Sequence, residues 1–336
     1  MNTSRGFTLI EWLISCIIGL FLTSAVLSIY VMARNNTQRL QIYNEMQENG
    51  RIALSLLEKD LRMVGFFGEL SSQYLRLHDN IETRVNLNKN HDCQDERGNN
   101  GGSIPSEGQN GVLRPLIIRS VNVNDALNGE ISCLAKMTLQ RNSDVLVLKR
   151  LYGHVMAPNP VGWDSKRIYL ASNSKQGLFF YGADNKSLAD IAAISNAEIW
   201  EYQHHIYFIQ ENNKIPELRL IQLTDQINSN LSLPLVQGVE RMRTLLAVDT
   251  SIPPDGITDQ YIPPEQVSAT IWNTFSITGI NLFLLIRALD ESPDYINKEQ
   301  YQLANETIPP FNDHYQRMVL QSSIQFINSH QPRDLE

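Results

Sequence analysis

From Phe7 to Met32 the chain runs 26 residues with a single charged side chain, Glu11. As a helix that run is roughly 39 Å long, enough to cross a hydrocarbon core of about 30 Å. Arg5 is the one charge in the six residues before it, which holds this short leader on the cytoplasmic side and sends the rest of the chain across. A secretory signal has a shorter apolar core closed by small residues at a cleavage site. Nothing of the A-x-A kind closes this run, so it reads as a retained single-pass anchor. Glu11 is the anomaly, since a carboxylate in a membrane helix costs about 2.5–3.5 kcal/mol on insertion scales and implies a partner or a function.

The helical pattern continues beyond the membrane. Leu40, Tyr43, Met46, Ala53, Leu57, Leu61 and Val64 recur at helical spacing with one gap at Gly50, and Asn, Gln, Glu, Lys and Arg fill the positions between them. That is an amphipathic helix whose apolar stripe needs a cover. No proline precedes Pro105, so nothing of that kind breaks a helix from Phe7 to Met63, which would be roughly 86 Å long. A rod apolar all round in its first half and one-sided in its second is expected to pack first against other chains and then against its own head.

After Gly65 the pattern changes. Asn86 to Gly111 is polar and rich in Asn and Gly, and reads as a surface loop. Short β-rich runs follow at Val112–Val121, Asp144–Leu151, Arg167–Ala171, Leu178–Tyr181, Glu198–Gln210, Glu217–Leu223 and Leu235–Val248. Ala269–Ile277 reads as a short helix, Thr278–Leu289 as the most buried strand, and Tyr315–Asn328 as the last one. Turn residues bound most of the runs, as antiparallel strands require. The expected class is α+β, with a leader at 1–6, a membrane helix at 7–32, an amphipathic helix at 33–65 and a β-rich head at 66–336.

Catalytic patterns are missing. The chain holds no GxSxG, HExxH, Walker A or GxGxxG. His204 and His205 are adjacent, and on a strand adjacent side chains point to opposite faces, so they would not share one metal ion. Gly101-Gly102 stands in a polar loop and reads as a turn. Trp200, Tyr202, Tyr207 and Phe208 read as core and sheet surface. Asp249, Asp255 and Asp259 are spaced unlike the ligands of an EF-type calcium loop, with two prolines between the first two, and read as a solvated turn. The net charge of −8 gives no general attraction to phosphate. The expectation is a non-enzyme without cofactor, metal site or nucleic-acid partner.

Gly6 to Glu11, GFTLIE, resembles the class III signal of type IV pilins and pseudopilins. The resemblance implies cleavage by a prepilin peptidase after Gly6, an N-methylated Phe7 at the mature terminus, and a Glu11 that pairs with the Phe7 amine of a neighbouring subunit. The other reading of Glu11 is an acid snorkelling near the membrane face. A finer resemblance is to the PilW group of minor pilins and to the J-type pseudopilins of type II secretion. Met46–Gly68 resembles that group's polar helix with a Gly-Arg-x-Ala step and a closing glycine/aromatic turn. Leu233–Asp249 with Asp255-Gly256 and Asp259-Gln260-Tyr261 resembles a second stretch, and Trp272 with Ile280–Arg287 a third. The group's Asp-rich turn is often denser than the one here.

The resemblance implies a helix laid across a largely antiparallel sheet. Its implied setting is the inner membrane with the head in the periplasm, and later the pilus tip. The implied partners are other minor pilins, the major pilin, a large tip adhesin and the inner-membrane assembly platform. A head of this size is larger than that of a major pilin. A type II secretion pseudopilin and a DNA-uptake pilin are the alternative readings, and motility, adhesion or uptake as the purpose of the pilus stays open. Cys16 lies in the apolar run. Cys93 and Cys133 fall in the part outside the inner membrane, where disulfides persist, and bridging them would gain roughly 4 kcal/mol in the chain-entropy model. Two free thiols or a metal pair are the other readings, although no Cys-x-x-Cys or Cys/His spacing supports a metal.

Overall fold

The computed structural model describes residues 8–70, 75–85, 92–93, 102–104, 111–121, 131–134, 137–157, 162–184, 187–222, 232–274 and 276–328. Its first element is one helix, α1 (Leu9–Leu61), of 53 residues and about 80 Å. Thr8 caps its start, with the side chain accepting from the Glu11 amide, and Lys59 in the last turn complements the helix dipole. Met46, Gly50, Ala53, Leu57 and Leu61 are buried, but Leu40 and Tyr43 are 61% and 44% exposed. The cover therefore starts later than the stripe does. Ile42 and Met46 still pack against the core of the head, while Leu40 and Tyr43 stay outside that cover.

Gly50 is not a gap in the stripe. A Cβ there would sit 2.2 Å from Leu320 Cδ1 and 3.1 Å from Ile286 Cγ1. The missing side chain lets the helix backbone come down onto the sheet.

The strands are β1 (Ile81–Thr83), β2 (Leu116–Val121), β3 (Ser143–Met156), β4 (Ile168–Ser172), β5 (Gly177–Tyr181), β6 (Glu198–Asn212), β7 (Ile215–Gln222) and β8 (Leu233–Gln237). They continue with β9 (Val239–Val248), β10 (Gln260–Ile262), β11 (Ile277–Arg287), β12 (Tyr301–Leu303), β13 (Glu306–Ile308) and β14 (Arg317–Gln325). Two short helices, α2 (Ser187–Ala192) and α3 (Ala269–Thr274), lie between them. The large sheet runs β1-β5-β4-β6-β3-β2, with β7 joining β6 to β8, and the small sheet runs β10-β9-β11-β14. Pairing is antiparallel except between β1 and β5. Strand β11 is the buried centre of the small sheet, and β12–β13 form a separate hairpin.

The run read as one strand over Leu235–Val248 is two strands in two sheets. Gly238 divides them at φ +83°. Its N–H donates to Pro216 O of β7 at 2.8 Å, and its carbonyl accepts from the Arg287 N–H of β11 at 2.7 Å. A Cβ at this position would lie 2.8 Å from Arg287 O, so both the backbone conformation and the close approach require glycine. One residue thus hands the chain from the large sheet to the small one. Between the sheets, Ala53, Leu57 and Leu61 of α1 share a core with Leu146, Leu148 and Ile209 of the large sheet and with Met242, Leu246, Leu282 and Leu284 of the small one.

The polar stretch 86–111 is not simply a surface loop. Asp92, Cys93, Ser103 and Ile104 are buried. Gly101 and most of that stretch lie outside the described residues.

Candidate assembly interface

The lower half of α1 presents apolar side chains on all sides. Leu9, Trp12, Phe21, Val26 and Ile29 are each more than 60% exposed, and 18 residues of this half average a hydropathy of 2.2 with none of that window buried. A helix that is hydrophobic all round belongs inside a membrane or a bundle. Its polar side chains fit that solvent: the hydroxyls of Ser15, Thr23 and Ser28 donate to carbonyls one turn back, Ser15 to Glu11 O at 2.8 Å and Thr23 to Gly19 O at 2.9 Å. None of the three asks for water.

Glu11 closes a capping box. Its Oε2 accepts from the Thr8 N–H at 2.9 Å and from the Thr8 hydroxyl at 2.9 Å, while the Glu11 N–H donates to Thr8 Oγ1 at 3.4 Å. The carboxylate is held at the first turn, where the helix dipole favours a negative charge. Gly6 and Phe7 lie outside the described residues.

At the other end, the helix is fixed to the head by a buried carboxylate. Asp60 Oδ1 accepts from Arg150 Nε at 2.6 Å and Nη2 at 2.5 Å. Its Oδ2 lies 2.5 Å from His205 Nδ1 and accepts from the Tyr207 hydroxyl at 2.7 Å. Burial alone would push this carboxyl up. The hydrogen bond and charge of His205, then Arg150 and Tyr207, overcome it and hold Asp60 far below the usual carboxylate range. Nothing in the helical pattern of the sequence singled out Asp60.

His204 points to the other face of β6, toward Ser103 Oγ at 2.9 Å. Ser103 also donates its amide and hydroxyl to Asp92, and its carbonyl accepts from Tyr202 OH at 2.6 Å. Serine, histidine and aspartate meet here in the wrong order for acyl transfer, which needs the carboxylate on the imidazole and an open hydroxyl. The carboxylate instead takes the serine, and all three side chains are buried. Burial, followed by the charges of Lys149 and His205, keeps the His204 imidazole well below its ordinary pKa, so it stays neutral. The cluster ties Asp92 and Ser103 to β6.

Cys93 and Cys133 join that segment to the rest of the head through a disulfide with Cα atoms 4.8 Å apart. Replacing Cys93 with serine should cost about 2–5 kcal/mol of head stability, read as a lower thermal midpoint of the detergent-extracted chain. Thiol labelling of the denatured, unreduced wild type should find Cys16 alone; three reactive thiols would rule the bridge out. Trp200, Tyr202, Tyr207 and Phe208 are buried in the cores.

The acid-rich turn satisfies itself. Asp249 accepts from the amides of Ser251 at 2.9 Å and Gly256 at 2.7 Å, and Asp259 accepts from the amide and hydroxyl of Thr250 at 2.7 and 2.8 Å. Among the described residues no group of three or more His, Cys, Asp or Glu is arranged to hold a metal ion.

Residues 206–328 match the family described as type IV pilus-assembly protein W, and residues 1–27 match the prokaryotic N-terminal methylation motif. The first match takes in the whole small sheet on which the buried half of α1 rests. No curated protein and no solved structure matches the chain.

Proposed function

The chain belongs to the PilW family of type IV pilus-assembly proteins, and from that premise we propose that it is a minor pilin that primes filament assembly and is incorporated at the pilus tip. The observation that carries this reading is α1 itself. One unbroken helix has a lower half with no cover and an upper half locked beneath its own head. Such a rod is complete only when an apolar surrounding covers its lower half. In the inner membrane, lipid does so; in a filament, the helices of other subunits do.

In this reading the head faces the periplasm, Gly6 is the processing site, and the Phe7 amine and Glu11 form the assembly contact. The partners are other minor pilins, the major pilin, the tip adhesin, the prepilin peptidase and the assembly platform. The protein performs no reaction on a substrate. Match to a family named for the type IV pilus favours this reading over a type II secretion pseudopilin, which would use the same physics.

N-terminal sequencing of membrane-extracted protein should begin at a methylated Phe7, and a bulky residue at Gly6 should leave an uncleaved precursor. A chain that begins at Met1 in piliated cells would overturn the assignment of Gly6. Cells lacking the chain should make normal amounts of processed major pilin and few pili. Normal pilus numbers in those cells would remove the priming role.

A further inference from the structure

Strand β14 forms one border of the small sheet, and its backbone parity can be read from two flanking bonds. Phe326 N donates to Thr278 O, and Ala288 N donates to Gln316 O. Both pairs belong to the register in which β11 and β14 match nine residues without a shift. Even-numbered residues of β14 therefore bond β11, because hydrogen-bonded pairs alternate along an antiparallel ladder. Val319, Gln321, Ser323 and Gln325 turn their N–H and C=O outward, and no described residue bonds them there. The side chains of Gln321, Ser323 and Gln325 are exposed as well.

Proteins usually protect such a border with charge, proline, a bulge or brevity. The other borders of the two sheets show these devices: β1 and β10 have three residues each, β8 carries Pro234, and β2 carries Arg119. From Met318 to Gln325 strand β14 has none of them. It also lies beside the assembly helix, with Leu320 against Gly50 and Ser322 donating to Glu58.

We propose that the outward edge of β14 receives an extended, uncharged strand from the head of a different helix-anchored pilus subunit. The proposal rests on the assembly reading above and names the surface that reading needs. A second copy is a poor occupant for a geometric reason. Contacts Gly50–Leu320, Glu58–Ser322 and Val64–Asn328 show that β14 runs in the direction of α1. Two-fold pairing of β14 with β14 would set the strands antiparallel and turn one anchor helix away from the membrane. Addition through the copy's opposite border would offer only the three residues of β10 and would not close. A separate subunit, standing parallel to this one with its own strand at the edge, meets both constraints.

The test uses the full-length chain in piliated cells, with photoreactive benzoylphenylalanine in place of Gln325. Irradiation should give an adduct with another processed prepilin-type subunit, identified by mass. An adduct with a second copy only, or none, overturns the proposal. Gln321→Pro removes an outward N–H and spares the β11 ladder, and Ser323→Lys places a charge on the edge. Each should lower adduct yield about tenfold, equivalent to about 1.4 kcal/mol, while Ser323→Thr should not. Thiol counting checks that each variant has folded; should the proline variant fail, the lysine variant decides. Unchanged adduct yield in folded Ser323→Lys sinks the edge. If Glu11→Gln still abolishes pili in that case, the assembly reading survives it; normal pili without the chain at all would sink that reading instead.

Discussion

Replacing Asp60 with asparagine should lower the stability of the head by about 3–5 kcal/mol, the usual cost of removing one partner of a buried ion pair. The variant keeps the shape of the side chain and removes the charge that answers Arg150 and His205. All three groups are buried, so water cannot replace what is lost. Urea unfolding of the detergent-solubilised chain, followed by tryptophan fluorescence, measures the change. Asp190→Asn is the control, because Asp190 pairs with Arg84 at 2.8 Å where both side chains are largely exposed; it should cost less than about 1 kcal/mol.

The pH dependence gives the sign. The carboxyl of Asp60 titrates below its ordinary range in the folded state. Its contribution is therefore fully present above about pH 5, where the unfolded carboxyl is ionised, and declines as pH falls below that. Wild type and Asp60→Asn should differ most at neutral pH and converge in acid. A gap that stays constant from neutral pH into acid would remove the charge of Asp60 as its cause.

Asp60 also marks where sequence reading stops. The helix was legible because its apolar residues repeat at 3.6 spacing, a local property. The partners of Asp60 lie 90, 145 and 147 positions away, and no spacing rule joins them. Gly50 looked like a missing stripe position because hydrophobicity cannot register a contact made by backbone. The switch at Gly238 was invisible for a related reason: residues on both sides of it have the composition of one strand, and only the register of two sheets separates them. His204 and His205 were readable as facing apart, since alternation is a local rule, but what each face meets was not. At the proposed assembly end the balance is reversed. The run from Gly6 to Glu11 carries its meaning in the sequence, and the structure adds the bonds between Thr8 and Glu11.

Those bonds make the expected result at Glu11 separable into two parts. Glu11→Ala removes the capping box, worth about 1 kcal/mol at the helix start, and removes the charge. Glu11→Gln keeps a side chain that can serve the box and removes the charge alone. Neither change reaches the head, whose first buried helix residue is Met46. Both variants should insert at least as well as wild type, because the cost of about 2.5–3.5 kcal/mol for an acid in the membrane is gone. Both should be processed and keep the Cys93–Cys133 bridge. If Glu11 pairs with a neighbour's amine, that pair is worth about 4 kcal/mol at 4 Å and an effective dielectric constant of 20. Pilus number per cell should then fall at least about tenfold in both variants, well within the factor such an energy allows. The measurement is pilus number beside the amount of processed chain in the membrane, with the variant as sole copy. Normal pili with Glu11→Gln and few with Glu11→Ala would assign Glu11 to its own helix cap and take it out of the subunit contact. Loss of the chain itself would place its role in stability.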